Sequence, residues 1–558
     1  MMESKPWLDH YDGGVPHTLR PYPAHTLLDV VSETARQRPD HQALLFQGAH
    51  LSYIELERLS DVFAAALVAR GIQKGDRVAL LLPNCPQFII AQLGVWKAGA
   101  IVAPINPLYT ESELEHMLEE CGAKTAVVLS RFYDKIKPLC QCTELSCIIA
   151  TNIKTYLPRF WRFLFTLFRE KKEGDRATLR AHDLWMEDLL RQFVDTPRPE
   201  VAVSPDDPAL VLFTGGTTGT PKASLGTHGG LLAAGMQLNA WFGGEVVDWD
   251  DVILLCMPLF HVYGVGILSA GLVGHNPLAL VPNPRDLNDV IATIRRTHPA
   301  FVPGVPTLFN ALLNHPDVQA GKVDFRSIKL CISGASPLLL ETKHRFETVT
   351  GGRMVEVYAL TESMAAAIIS PVHGEYRPGA VGLPVTDVEV RIADADTGLG
   401  NLASEEVGEV LICAPQVMQG YWQRPDETAA MLHEGWLHTG DLGYLDKDGY
   451  LFIVDRKKDL IKPSGFQVWP REVEEVIASH PAIHQVGVAG VPDPYQGEAI
   501  KAWVVLRAGQ QVTADELYTH CRKKLVGYKV PKYVEFRDSL PMSHLGKVLR
   551  RELVEEEQ

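Results

Sequence analysis

The stretch 212-LFTGGTTGTPKAS-224 packs three glycines, four threonines, one proline and one lysine into thirteen residues. It is too small and polar to be core, and too particular to be a plain linker. A short apolar run, "ALVLF" (209–213), precedes it and reads as a buried strand. An apolar helical pattern, "HGGLLAAGMQLNAWF" (228–242), follows it. Small residues between a strand and a helix let backbone N–H groups approach an anion, threonine hydroxyls add donors, and Lys222 adds a positive charge. The segment therefore reads as a phosphate loop in an α/β protein. A surface turn without a ligand is the plain alternative. It is not the phosphate loop of nucleoside triphosphatases, whose lysine follows a glycine; here Pro221 precedes Lys222.

Outward from this loop the chain alternates helices and strands. "TLLDVVSETARQRP" spaces its apolar residues as a helix and stops at proline. "DRVALLLPN", "ECGAKTAVVLS" and "PALVLFTGG" are short apolar runs ending in turns, and "PQFIIAQLGVWKAGAIVAPIN" reads as helix, glycine break, strand. Such alternation predicts parallel sheets packed between helices. Near Asp387 the texture changes. "VEVRIAD", "GEVLICA" and "GYLFIVD" predict a small β-barrel or hairpin sheet. After "DRKKDLIKPSG" a mixed pattern of about 100 residues fits a small α+β domain.

The bulk properties agree. At 558 residues the chain is too long for one core, and 46% hydrophobic residues suffice to fill several. A net charge of −15 argues against a nucleic-acid partner. The nine cysteines include one cluster, Cys140, Cys142 and Cys147, whose spacing fits no zinc pattern. Reduced thiols in a cytoplasmic protein are the expectation. The opening "MMESKPWLDHYDGG" lacks a basic-then-apolar leader, and no apolar run approaches the roughly 20 residues needed to span a bilayer.

Seven motifs in order carry a family resemblance over nearly the whole chain: the loop itself, "PLFHVYG" (258–264), "SGASP" (333–337), "VYALTES" (357–363), "LHTGDLGYLD" (437–446), "DRKKDLIKPSGFQVWPREVE" (455–474) and "LPMSHLGKVLRREL" (540–553). The chain resembles the adenylate-forming superfamily, which includes acyl-CoA synthetases, firefly luciferase and the adenylation domains of peptide synthetases. The double glycine and "NPRD" (283–286) look most like bacterial long-chain fatty-acid–CoA ligases. The resemblance implies a luciferase-like α/β fold. Its large N-terminal domain, 1–457, has two βαβ-type subdomains and a small β-barrel; its small mobile α+β domain spans 458–558. It also implies ATP-dependent ligation of a medium- to long-chain fatty acid to coenzyme A through an acyl-adenylate, with Mg²⁺. The alternatives are loading of a carrier protein and ligation of an aryl or other carboxylic acid.

By the same resemblance Thr214, Gly215, Gly216, Thr217, Thr218, Gly219 and Lys222 grip the phosphates. Thr361 touches the α-phosphate and Glu362 holds the Mg²⁺. Gly334, Ala335, Ser336 and Tyr358 frame adenine, since small residues admit the ring and an aromatic stacks on it. Asp441 and Arg456 hold the ribose. Lys547 is the adenylating lysine, whose ammonium bridges carboxylate and α-phosphate. Lys458 is the hinge, while Lys462, Ser464, Gly465 and Gln467 line the pantetheine tunnel and contact the nucleotide. His261 and Tyr263 belong to the acyl pocket, His261 as architecture rather than as a base. The departures are Gly215 for a serine, Ala223 and Ala359 for glycines, and His544 and Leu545 for small or hydroxyl residues. They bear on substrate length and rate, not on reaction class. Val265 stands where some long-chain ligases carry a tryptophan gate, so no gate is implied.

One segment reads apart from the family. In "YLPRFWRFLFTLFREKK" (156–172), Phe160, Trp161, Phe163, Leu164, Phe165, Leu167 and Phe168 cover an arc of roughly 200° at 100° per residue, opposite Arg159, Arg162, Thr166, Arg169 and Glu170. This predicts an interfacial helix on the cytoplasmic face of an anionic membrane. The competing use is packing on its own domain or on a partner in a homodimer.

Overall fold

Local signals start the first elements. The Thr26 backbone N–H and hydroxyl donate to Asp29 at 2.7 and 2.8 Å, opening the helix Leu27–Gln37. Pro86 opens the helix Pro86–Lys97 at a position where no N–H is needed, and Gly99, at φ +73°, turns the chain into the strand Ile101–Pro104. The computed structural model describes residues 5–214, 221–466, 468–542 and 548–556.

Two sheets dominate. The eight-stranded sheet runs Gly420–Tyr421, Ala223–Thr227, Pro208–Phe213, Ile101–Pro104, Arg77–Leu81, Thr125–Leu129, Cys147–Thr151, Leu184–Trp185. Its last six strands are parallel and its first two antiparallel. The second sheet joins 14 strands of the described residues. Its parallel part includes Phe301–Gly304, Leu330–Ser333 and Arg353–Ala359. Ala366–Ile369 then pairs antiparallel with Arg353–Ala359 and leads through Ala380–Pro384 to Leu451–Arg456, Trp436–Leu445, Gly408–Cys413 and Glu389–Ala393. The region expected as a barrel or hairpin sheet thus pairs as a hairpin sheet, continuous with the parallel strands. Residues from Ile461 to Leu553 pack cores of their own around the three-stranded sheet of Ile483–Asp493, Gly497–Leu506 and Tyr533–Phe536.

Two expectations need correction. The glycine-rich loop does not run from strand into helix. It joins Pro208–Phe213 to an antiparallel strand, Ala223–Thr227, and only then does the helix His228–Phe242 begin. Lys222 thus leads into a strand rather than directly into the helix. The aromatic segment 156–172 is also no uniform amphipathic helix. An α-helix, Arg159–Leu164, widens into a π-turn over Phe165–Arg169, which changes the angle between successive side chains. Phe165 is buried and Leu164 half-buried, while Phe160, Trp161, Phe163, Leu167 and Phe168 stay 58–67% exposed. Glu170 closes the segment by accepting from Lys154 and Asn152.

His228 opens the helix after the hairpin, buried with its ring edge-on to Trp96 at 5.3 Å. Burial pulls its imidazole down from 6.5 to about 4. As pH falls below 6.5 the unfolded chain takes up the proton first, so the fold loses stability in the window from 6.5 down to about 4. The loss reaches about 2 kcal/mol by pH 5. His228→Gln should narrow the gap between melting temperatures at neutral pH and pH 5. An unchanged gap would place the acid sensitivity elsewhere.

Candidate active site

The strand Arg353–Ala359 delivers Tyr358 near its end, and the turn after it delivers Thr361 and Glu362. That turn is held by Ser363, whose hydroxyl lies 2.9 Å from the Leu360 carbonyl and 2.8 Å from the Ala365 carbonyl, and receives the Leu360 N–H at 3.0 Å. Ser363 is buried, so its neighbours Thr361 and Glu362 are left half-exposed on the rim.

Tyr358 reaches across to the hairpin sheet. Its hydroxyl donates to Asp441 Oδ2 at 2.6 Å, and Arg456 Nε lies 3.1 Å from Asp441 Oδ1. Asp441 and Arg456 face each other across two paired strands, so backbone register aligns them. Asp441 is buried; burial and its charge push the Tyr358 phenol well above its ordinary range. The three form a neutral hydrogen-bond donor, a carboxylate and a guanidinium in a row. Such a row can accept from and donate to a sugar's hydroxyls.

A second cluster lies at the phosphate-loop hairpin. Thr214 and Lys222 close its neck: the Thr214 N–H donates to the Lys222 carbonyl at 2.9 Å, and the Lys222 N–H donates to Thr214 Oγ1 at 3.2 Å. Gly215, Gly216, Thr217, Thr218 and Gly219 lie outside the described residues. Lys222 Nζ sits 4.9 Å from the ring centroid of Tyr421, and the Tyr421 hydroxyl donates to Glu362 Oε1 at 2.7 Å. Sequence reading missed Tyr421. Its only signal was an aromatic in "QGYWQRP" (419–425), with no spacing that ties it to Lys222 or Glu362.

Next to Tyr358 in sequence, Val357 and Ala359 help line an apolar cleft, together with His261, Tyr263, Gly334 and Ala335. Gly334 and Ala335, expected around adenine, thus share one cleft with His261 and Tyr263, expected around the acyl chain. Tyr263 is fixed, its hydroxyl 2.9 Å from the Ile332 carbonyl and 3.1 Å from that of Gly304. His261 accepts the Tyr263 N–H on Nδ1 at 3.2 Å as the cap of the helix Val262–Val273. Gly334 has no room for a side chain: a Cβ would lie 2.6 Å from Val357 Cγ1. Ala335 adopts φ +68° and turns the chain along the cleft, with Ser336 half-buried beside it.

The remaining candidates stand apart. Lys458 is exposed in the short 3-10 turn Lys457–Asp459 directly after the strand that carries Arg456; partial burial and the Arg456 charge pull its ammonium down. Lys462 and Ser464 bond within the C-terminal region, through backbone N–H groups, to Glu498 Oε2 at 2.6 Å and the Gln496 carbonyl at 2.9 Å. Gly465 follows in the same turn. These contacts do not join them to Asp441. Gln467 and Lys547 lie outside the described residues.

The model of the AMP-binding enzyme family matches residues 31–422, and that of the AMP-binding enzyme C-terminal domain matches 472–547. A long-chain-fatty-acid–CoA ligase of Bacillus subtilis (strain 168) is 39% identical, covering 100% of this chain and 99% of its own. One of Escherichia coli O157:H7 is 37% identical over 99% and 98%. ATP-bound MatB from Rhodopseudomonas palustris superposes with a TM-score of 0.81 at 27% identity, over 96% of this chain and 99% of that one. The first of these matches takes in the phosphate-loop segment, the cleft residues and the Lys222–Tyr421–Glu362 cluster, while Asp441 and Arg456 fall between the two matches; the chain belongs to the AMP-binding, adenylate-forming enzymes.

Proposed function

We propose that the protein ligates a medium- to long-chain fatty acid to coenzyme A at the expense of ATP. The observation that carries this is that one strand end and its turn, 357–362, supply Val357 and Ala359 to an apolar cleft, Tyr358 to the Asp441–Arg456 row and Glu362 to the Lys222–Tyr421 cluster. Full-length similarity to long-chain-fatty-acid–CoA ligases supports the substrate class.

In the first step the carboxylate attacks the α-phosphorus of ATP. An acyl–phosphate bond forms, the α–β bridge breaks and pyrophosphate leaves. Asp441 and Arg456 hold the ribose, Gly334, Ala335, Ser336 and Tyr358 seat adenine, and Lys222 with the loop residues 214–219 holds the phosphates. Thr361 lies against the α-phosphate, and Lys547 draws the two anions together. In the second step the thiol of coenzyme A attacks the acyl carbon, the carbon–oxygen bond breaks and AMP leaves, with the thiol proton passing to solvent. We take 1–457 and 458–558 as the two moving units, with the pivot at Lys458 and the pantetheine path along Lys462, Ser464, Gly465 and Gln467. A surface residue suits a pivot because it leaves no core when its dihedrals change.

The donor set fits Mg²⁺ brought in by the nucleotide. Among the described residues no group of three or more His, Cys, Asp or Glu could hold a metal. Glu362 is one half-buried carboxylate with Tyr421 on one oxygen. Mg²⁺ bound to a triphosphate needs only one or two carboxylates. Glu362, with Thr361 beside it, would hold the ion, which offsets phosphate charge when bound.

We also place the protein in the cytoplasm at the surface of an anionic membrane, through the exposed ring of Phe160, Trp161, Phe163, Leu167 and Phe168. No helix among the described residues is long and apolar enough to cross a bilayer. The flanking Arg159, Arg162, Arg169, Lys171 and Lys172 supply the charge that anionic headgroups attract.

ATP–pyrophosphate exchange with a panel of fatty and aromatic acids tests the reaction and the chain length together; exchange with aromatic acids alone would overturn the fatty-acid reading. Asp441→Ala should raise the KM for ATP about ten-fold or more, since it removes a charged acceptor and strands Arg456. Lys547→Ala should block adenylation yet spare thioester formation from supplied acyl-adenylate, and Lys458→Pro should do the reverse by fixing φ at the pivot. Equal loss of both half-reactions in either variant argues against a rotating C-terminal unit. Wild-type protein should float with anionic liposomes at low salt, and Phe163→Asp/Phe168→Asp should not. A wild type that stays in the soluble fraction would sink the membrane reading.

A further inference from the structure

We infer that Tyr421 is a positioning residue that keeps Lys222 and Glu362 apart, so that one stays free for phosphate and the other for the metal ion. The inference rests on the ligase reading and deepens it.

The backbone around Tyr421 is tied to both partners. On one side it is an edge strand against the phosphate-loop hairpin. Tyr421 pairs with Ser224 and Gly420 with Leu225, and the Trp422 N–H donates to the Ala223 carbonyl at 2.8 Å, one residue beyond Lys222. On the other side the Met418 N–H donates to the Glu362 carbonyl at 2.9 Å. A third tie fixes the turn: the Tyr421 N–H donates to Thr428 Oγ1 at 2.8 Å. Gly420 is held at φ +150°, where a Cβ would lie 2.6 Å from Thr428 Cγ2. The side chain is 7% exposed, so the ring has little freedom to leave.

The chemistry of the phenol matches this place. Its face attracts the Lys222 ammonium, and its hydroxyl satisfies one oxygen of Glu362 without adding a charge. Burial and the Glu362 charge push the phenol pKa up, so it remains a donor at neutral pH. Without the ring, an ammonium and a carboxylate on neighbouring segments attract directly. A lysine paired with Glu362 is lost to the phosphates, and a carboxylate paired with Lys222 is a poorer ligand for Mg²⁺.

The test uses the full chain, with ATP binding measured by calorimetry in EDTA and across a Mg²⁺ titration, and melting temperatures followed in parallel. In Tyr421→Phe the ring remains and the hydroxyl is lost. ATP affinity in EDTA should stay within about two-fold of wild type, while the Mg²⁺ concentration for half-maximal tightening should rise about ten-fold. In Tyr421→Leu the spacer is lost, and affinity in EDTA should also fall about ten-fold. Adding Glu362→Gln to Tyr421→Leu removes the charge that captures Lys222 and should restore affinity in EDTA, a rescue that a merely structural role does not produce. Wild-type Mg²⁺ response in Tyr421→Phe, or no rescue in the double variant, overturns the inference alone. Failure of the wild-type chain to bind ATP overturns the ligase reading and the inference with it.

Discussion

One strand, Arg353–Ala359, carries a constraint on which the site depends. Its first half bonds parallel to Leu330–Ser333 and its second half antiparallel to Ala366–Ile369. The strand therefore ends where a parallel sheet gives way to an antiparallel one. The carboxyl ends of parallel strands leave a crevice at such a change of order. Here that crevice is walled by Gly334 and Ala335 after one strand and by Val357 and Ala359 on the next. Gly382, at φ +124°, lets Ala380–Pro384 pass so close that a Cβ would lie 2.2 Å from the Ile369 backbone. The continuity of the sheet leaves no room for a side chain there.

A neutral phenol contacts each carboxylate of the site, while Asp441 also pairs directly with Arg456 at 3.1 Å. Tyr358 contacts Asp441 on the side away from Arg456, and Tyr421 stands between Lys222 and Glu362. A phenol satisfies a carboxylate oxygen without cancelling its charge, so a half-buried site can keep both signs available. A different economy holds near the proposed pivot. Arg550 lies 3.2 Å from Asp455 and 3.0 Å from Asp459, and pairs with Glu474 through two nitrogens at 2.7 and 3.0 Å. These carboxylates hold its guanidinium above its usual range against the cost of burial. Asp455 also receives the Arg471 N–H at 2.7 Å. One arginine thus binds the chain's last helix to both sides of Lys458. Charge pairs of this kind fix geometry more than they add stability.

Much of this was legible in the sequence. The helical spacing of "TLLDVVSETARQRP" with its proline stop, and the glycine break at Gly99 before the next strand, are local signals, and local signals determine where helices and strands begin and end. The order of motifs determined the family, and with it the candidates Asp441, Arg456, Tyr358, Lys222 and Glu362, which the structure gathers into two clusters. Tertiary structure alone decided three things. It put a strand between Lys222 and the helix that follows, because the five residues Ala223–Thr227 find an antiparallel partner that no local pattern announces. It turned Phe165 inward and left Phe163 outside, and from Phe165 on a π-turn departs from the helical angle on which the sequence arc was drawn. And it set Tyr421 between Lys222 and Glu362. Side-chain spacing along a chain encodes only neighbours within an element. A phenol 59 residues from its carboxylate is placed by strand pairing, and pairing across such a distance is settled by the packing of the whole sheet.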